Sequence, residues 1–233
     1  MTGGAAGAGA EPITLPARDA YRLWARSYDA ENAVTVLEQC AVLALTPPLA
    51  GTWLLDAGCG TGRRLPRAGK EGPARVVGVD LVFEMLNVRA RADVSLVVAD
   101  VRALPCRAHS FHVIWCRLAA GHLPELDGLY AELARVARAG AHVIVTDFHP
   151  AAARAGHTRS FRDEDGQLHS VEHFIHDIDA HLAAAQSARL TLVACQEPAV
   201  GPEVRHFYAA ARRLDAYDRQ QELPLVLALA LRA

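Results

Sequence analysis

The sequence predicts a three-layer α/β fold built on an open, mostly parallel sheet. Two patterns carry that expectation. Short apolar runs end one after another in an acid: Trp53-Leu54-Leu55 before Asp56, Ala74 to Val79 before Asp80, and Ser95 to Ala99 before Asp100. Around them lie stretches of helical periodicity, the clearest from Pro124 to Arg138. Strand-length apolar runs alternating with helices describe strands covered on both faces. A third observation marks a ligand site. Gly58, Gly60 and Gly62 follow the first run at alternate positions, at the carboxyl edge where open sheets bind ligands.

Composition bounds the function. Of 233 residues, 52% are hydrophobic and 21% charged, enough for a sizeable core. The net charge is −2, Lys70 is the sole lysine and the arginines are scattered among acids, which argues against a nucleic-acid partner. Cys40, Cys59, Cys106, Cys116 and Cys195 form no paired spacing and read as reduced thiols in a cytoplasmic protein. No apolar run approaches the ~20 residues of a membrane span, and the Gly/Ala-rich start has no signal-peptide pattern. Residues 1–16 read as a disordered tail and residues 17–233 as a single domain.

Ala17 to Ala44 carries helical patterning in two blocks. Tyr21, Trp24 and Tyr28 recur as one aromatic stripe, and Val34, Leu37, Cys40 and Ala41 form a second apolar face. Pro47-Pro48 closes the block. Trp53 to Leu55 reads as a buried strand, and Asp56 to Gly62 as a tight turn leading into a helix. Glycine supplies backbone angles closed to other residues and lets a ligand approach the main chain. N–H groups at the helix start would face that ligand.

The stretch Leu55-Asp56-Ala57-Gly58-Cys59-Gly60-Thr61-Gly62 closely resembles the first motif of class I S-adenosylmethionine (SAM) dependent methyltransferases. The likeness runs over residues 17–231, with its specific motifs between 53 and 150. It implies a Rossmann-like three-layer sandwich, with a seven-stranded, mostly parallel sheet whose last strand is antiparallel beside the fifth. It also implies a helical lid over residues 17–48, a core over 52–150 and an acceptor-recognising insertion over 151–185. SAM would then contact Asp56, Gly58, Cys59, Gly60 and Gly62, and Tyr28 of the lid would reach the cofactor or the acceptor. The nicotinamide dinucleotide fingerprint spaces its glycines G-x-G-x-x-G. Here Arg63 stands at the third glycine's place.

Ala74 to Asp80 is the second strand. Asp80 lies 22 residues after Gly58, where a carboxylate can accept from both ribose hydroxyls, with Leu81 beside it. Phe83 to Arg91 reads as a helix. Ser95 to Val101 is the third strand, and Asp100 resembles the family acid that accepts from the adenine amino group, with the Val101 N–H facing a ring nitrogen. Ala103-Leu104-Pro105 continues the match, with Cys106 in place of Phe. Ser110-Phe111-His112 departs from the family's S-F-D, and His112 reads as a surface residue. Phe111 to Cys116 is the fourth strand, and the resemblance places Cys116 at the cofactor.

The loop from Arg117 to Leu123 follows, then a helix from Pro124 to Arg138 with Leu126, Leu129, Leu133 and Val136 on its apolar face. Ala141 to Pro150 is the fifth strand and its exit. Arg189 to Cys195 is the sixth strand, Val204 to Tyr217 a polar helix, and Pro224 to Leu231 the seventh strand. His169, His173 and His176 would share a face only on a helix, a metal-site pattern. That segment reads as extended until a helix from Asp177 to Ser187, which splits them between faces, and no metal is expected.

Methyl transfer to a hydroxyl or acidic carbon requires loss of a proton, and histidine suits that near neutral pH. The candidates are His122, His149 and His173. A carboxylate or amine acceptor needs no base. The resemblance thus implies an enzyme, a SAM-dependent methyltransferase acting on O, N or C of a small molecule, in bacterial secondary metabolism or cofactor biosynthesis. A small-molecule acceptor, no nucleic acid, no membrane and a monomer or homodimer complete the expectation. Two alternatives stay open: a SAM-binding protein catalysing a non-methylating reaction such as cyclisation, and a nicotinamide-dependent oxidoreductase. A tRNA or protein methyltransferase lacks support, because Cys116-Arg117-Leu118-Ala119 stands where an Asn-Pro-Pro-Tyr-type motif would follow the fourth strand.

Overall fold

The apolar runs become three neighbouring strands on one side of a single sheet. The structure, a computed structural model, describes residues 12–67, 69–70, 72–89 and 92–233. In chain order the elements are β1 (Ile13–Leu15), α1 (Ala17–Trp24), α2 (Ala33–Leu45), β2 (Trp53–Ala57), β3 (Arg75–Asp80), α3 (Phe83–Leu86), β4 (Ser95–Val98) and β5 (Phe111–Arg117). Then come α4 (Asp127–Val136), β6 (Ala137–Phe148), α5 (Pro150–Arg154), β7 (Ser160–Arg162), β8 (Leu168–Val171) and α6 (Ile178–Ser187). The chain closes with β9 (Thr191–Gln196), α7 (Arg205–Ala210), α8 (Leu214–Gln220) and β10 (Val226–Arg232).

Seven strands lie in the order β4-β3-β2-β5-β6-β10-β9. β2 pairs in parallel with β3 and β5, while β10 runs antiparallel between β6 and β9, with Leu229 opposite Val145. This is the expected sheet with its antiparallel last strand. Leu54, Leu55, Ile114 and Val143 are fully buried. Leu129, Leu133 and Val136 of α4 cover one face, burying ~1.5–3 kcal/mol of transfer free energy per large side chain.

Five local expectations are corrected. No helix follows the glycine turn among the described residues: 58–74 is turn and bend. Gly58, Gly60 and Gly62 all hold positive φ (82°, 58° and 71°), and Pro66, Gly69, Gly72 and Pro73 leave no run long enough to propagate a helix. The helix expected over 83–91 is the single turn α3, and Arg91 lies outside the described residues. The helix expected over 204–217 breaks into α7 and α8 around Arg212, whose φ is 56°. On α2 the buried face is Leu37, Glu38, Ala41 and Val42, while Cys40 is exposed, because Glu38 is drawn inward to an arginine. Residues 13–15 of the expected tail form β1, which pairs with β8 in a small sheet ordered β1-β8-β7. The rest of that tail, 1–11, lies outside the described residues. No helix among the described residues is long and apolar enough to cross a membrane.

Candidate active site

The carboxyl edge of β2, β3 and β5 opens into a cavity of about 260 Å³ that reaches from Asp100 and Val101 past Asp80, Gly58 and Gly60 to Tyr28 and His122. Glycine is required on its floor. A Cβ on Gly58 would meet Ala119 Cβ at 2.7 Å, and its φ is +82°. Asp80 ends β3 and is held by the turn: Gly60 N–H donates to Oδ2 (2.8 Å) and Val82 N–H to Oδ1 (2.9 Å). Burial pushes its carboxyl above the usual range, against the pull of those N–H groups. Each oxygen keeps a lone pair for a further donor. Leu81 and Met85 complete the wall.

At the far end Asp100 is engaged by Arg102. Its Oδ1 accepts from Arg102 N (2.8 Å) and Nε (3.0 Å), and Oδ2 from Nη2 (2.7 Å). These bonds hold the carboxyl below its ordinary value. Roughly one of about four lone-pair positions is left for an incoming amino group.

At the near end Tyr28, Cys59, Arg63, Asp56 and Arg117 surround a smaller recess. Asp56 is buried and its Oδ1 has no partner. Burial pushes this carboxyl up to about 7; Arg117 opposes the shift, and Glu38 and Asp80 add to it. Arg117 is clamped by Glu38 through Nε–Oε1 (2.9 Å) and Nη2–Oε2 (2.5 Å), while its Nη1 is buried without a partner. An orphaned acceptor and an orphaned donor in one recess suit the ammonium and carboxylate of an amino acid. With Asp80 as a ribose acceptor between that recess and Asp100, the donor set fits SAM.

The lid is tied to this floor. Asp29 accepts from Thr61 Oγ1 (2.5 Å), and Arg89 Nε (2.5 Å) pairs with its other oxygen. The Arg63 guanidinium sits 5.8 Å from the Tyr28 ring centroid. The aromatic stripe is a packed wall: Tyr21 lies 5.8 Å from Trp24 and 5.6 Å from Tyr28, and Trp24 stacks on Phe161 at 4.8 Å.

Of the expected contacts, Tyr28, Asp56, Gly58, Cys59, Gly60, Asp80, Leu81, Asp100 and Val101 line the cavity or its recess. Cys116 does not. It is fully buried in the core, because its position on β5 points into the packed face and Arg117 takes the edge. Gly62 packs on Leu65 and serves the turn.

The three candidate bases separate. His149 is away from the cavity: its Nδ1 accepts from Ala151 N–H, capping α5, and its Nε2 meets Glu197 (2.9 Å). His173 packs under the loop after β5, so close that a Cβ on Gly121 would lie 2.0 Å from its ring, and it touches the ring edges of His122 and Phe148. Burial holds its imidazole down to about 4. His122 lines the cavity. Its Nε2 lies 2.7 Å from Arg159 Nη1 and 2.9 Å from Tyr21 Oη, and its Nδ1 lies 3.3 Å from Glu172 O. Arginine only donates, so Nε2 is the acceptor and its lone pair is taken. Burial and the Arg159 charge hold His122 down to about 3. Elsewhere, His169 pairs with Asp163 (2.7 Å) and His176 with Leu123 O (2.8 Å). Among the described residues no three His, Cys, Asp or Glu gather as a metal site.

Sequence reasoning missed Arg117, Arg102 and Arg159. Arg117 had a signal, a charge at the carboxyl end of a buried strand. Arg159 had none, since it sits among other charges of a polar insertion.

Residues 55–145 match a family model described as a methyltransferase domain. The chain is 33% identical over 134 residues to the 27-O-demethylrifamycin SV methyltransferase of Amycolatopsis mediterranei, covering 54% of this chain and 49% of the relative. It is 29% identical over 122 residues to a malonyl-[acyl-carrier protein] O-methyltransferase of Hamiltonella defensa, covering 52% and 47%. The chain spans about half the length of the curated relatives it matches. The crystal structure of a SAM-dependent methyltransferase from Mesorhizobium loti shares the fold with a TM-score of 0.65 at 19% identity, covering 84% of this chain and 98% of that one. Strand order, glycine floor and these matches converge: residues 55–145 match a methyltransferase domain, and the chain has the fold of the SAM-dependent methyltransferase structure it resembles.

Proposed function

We propose that this chain transfers the methyl group of SAM to a small-molecule acceptor. The single observation that carries this reading is the row Asp56, Asp80, Asp100 along one cavity and its recess, with an orphaned acceptor and an orphaned arginine donor at the amino-acid end. SAM would supply an electrophilic sulfonium methyl group. The residues of the chain bind, orient and exclude water. Asp80 would hold the ribose, Asp56 the ammonium and Arg117 the carboxylate, while Tyr28 closes the recess. Fixing two partners in attack geometry can supply ~7–11 kcal/mol, and the lid anchored through Asp29 would keep the reaction dry.

His122 is the one candidate base on the cavity wall, and its lone pair is engaged. We therefore assign it to positioning Tyr21 and Arg159, a geometry that favours acceptors needing no base there, such as a carboxylate or an amine. The rifamycin relative and a demethylmenaquinone methyltransferase of Thermobifida fusca, 29% identical over 115 residues, support a place in bacterial secondary metabolism or cofactor biosynthesis. The low net charge supports the absence of a nucleic-acid partner, and the dispersed free cysteines support a cytoplasmic enzyme; we further propose that it acts off the membrane, as a monomer or homodimer, within one domain over 17–233. Calorimetry with SAM, S-adenosylhomocysteine (SAH), NAD and NADP tests the donor. Tight SAM and SAH binding is expected, and NAD(P) binding without SAM would sink the reading. Mass spectrometry of products then distinguishes a methyl gain from a cyclisation.

The raised Asp56 carboxyl makes SAH binding pH-dependent. The ligand's ammonium favours the ionised carboxylate, whose fraction rises from about 0.1 at pH 6 to about 0.9 at pH 8 for a group near 7. Affinity should therefore climb about tenfold over that range, and Asp56→Asn should flatten the profile. The apo fold should move the opposite way. A carboxyl raised in the folded state contributes stability below the unfolded value near ~3.9, lost as pH rises through about 7.

A further inference from the structure

Beside the lid is a second cavity of about 150 Å³, walled by Tyr21, Trp24, Tyr28, Val34 and Phe148, with the neutral polar side chains Asn32, Thr35, Thr158 and Ser160 at its rim; Tyr21, Tyr28 and Leu118 line both it and the main cavity. That volume holds a benzene-sized ring. Arg159 enters it as the one charged side chain of its lining. Its Nη1 donates to Leu118 O (2.8 Å), His122 Nε2 (2.7 Å) and Tyr21 Oη (3.1 Å), and its Nη2 is buried with no partner. No carboxylate among the described residues pairs with Arg159. The nearby acid Asp147 accepts from Gly121 N–H and Phe148 N–H through Oδ1, while its Oδ2 lies 3.3 Å from His181 Nε2 and makes no hydrogen bond; its charge supports the Arg159 guanidinium across a gap that no hydrogen bond closes.

A guanidinium taken out of water with an orphaned N–H and no directly paired carboxylate is costly, even with the charge of Asp147 nearby. A bound sulfonium nearby would add a second positive charge. Both are relieved by an anion entering the aromatic cavity. One guanidinium with one buried, unpartnered Nη2 matches a single negative charge on a planar group, and no second cation lines the cavity to balance a dianion.

We propose that this cavity is the acceptor subsite and that the acceptor is a small apolar or aromatic acid whose carboxylate pairs with Arg159. The proposal rests on the methyl-transfer reading, and its test separates the two. The full chain, saturated with SAH, is titrated calorimetrically with benzoate and phenylacetate, with benzamide and phenylacetamide, and with phenyl phosphate. The acids should bind about tenfold or more tighter than the matched amides. Arg159→Gln should remove that preference while SAH affinity stays within about twofold. Equal binding of acid and amide, no binding of either acid, an acid preference surviving in Arg159→Gln, or phenyl phosphate binding more tightly than benzoate would each overturn the proposal. Should Arg159→Gln not fold, the acid–amide comparison in the unaltered chain decides alone. Absence of SAH binding would sink the methyl-transfer reading instead, and the same comparison on the free chain would still judge the subsite.

Discussion

Asp80→Ala should weaken SAH binding at least tenfold. The carboxylate holds the glycine turn through Gly60 N–H and Val82 N–H and keeps lone pairs for the two ribose hydroxyls. A hydrogen bond to a charged group contributes about 1.5–3 kcal/mol, and losing one is already a factor of ten or more. Alanine removes both ribose bonds and releases the two backbone donors. Asp80→Asn keeps one carbonyl acceptor and should lose less. Calorimetric titration of SAH into each variant gives the comparison. A change below about threefold for Asp80→Ala would show that the ribose is held elsewhere.

Glu38→Ala should cost more in stability than any other single substitution near the site, about 3–5 kcal/mol. The Glu38 and Arg117 side chains are 4% and 7% exposed and bonded through both carboxylate oxygens. Thr146 Oγ1 adds a third bond to Oε1 (3.0 Å). Removing the acid leaves a guanidinium buried beside β5 with Gln39 as its remaining side-chain acceptor. Urea unfolding would read this as a fall in midpoint at unchanged slope. Glu38→Met combined with Arg117→Met should recover most of the loss, because the uncompensated charge then goes too. A loss below about 1 kcal/mol for Glu38→Ala would mean that water reaches Arg117.

The sheet was readable in the sequence because β2, β3 and β4 are apolar runs too short for a helix, each running out at an acid, and Asp56, Asp80 and Asp100 all line one cavity or its recess. The donor half of the site was therefore legible. The acceptor half was not. β1 is three residues long and pairs with a strand more than 150 positions away, with Thr14 opposite Ser170, a contact that no local pattern encodes. Arg159 lies next to Ser160 in a polar stretch, and its burial comes from α1 folding over it. His149 misled for a related reason. It leaves a strand at the ligand edge, yet Pro150 starts a helix and turns its ring into a cap. Cys116 misled through period two, since neighbouring positions on β5 face opposite layers.

The missing helix after β2 also bears on ligand choice. A helix opening at that turn would carry about half a positive charge at its first N–H groups, the feature that makes nucleotide folds seek pyrophosphate. Here 58–74 holds turns among its described residues, so no macrodipole is aimed at the floor. What lines the recess beside that turn is Asp56, with a buried oxygen that has no partner. A pyrophosphate seated there would meet a carboxylate in place of helix N–H groups, whereas the ammonium of an amino acid would be matched.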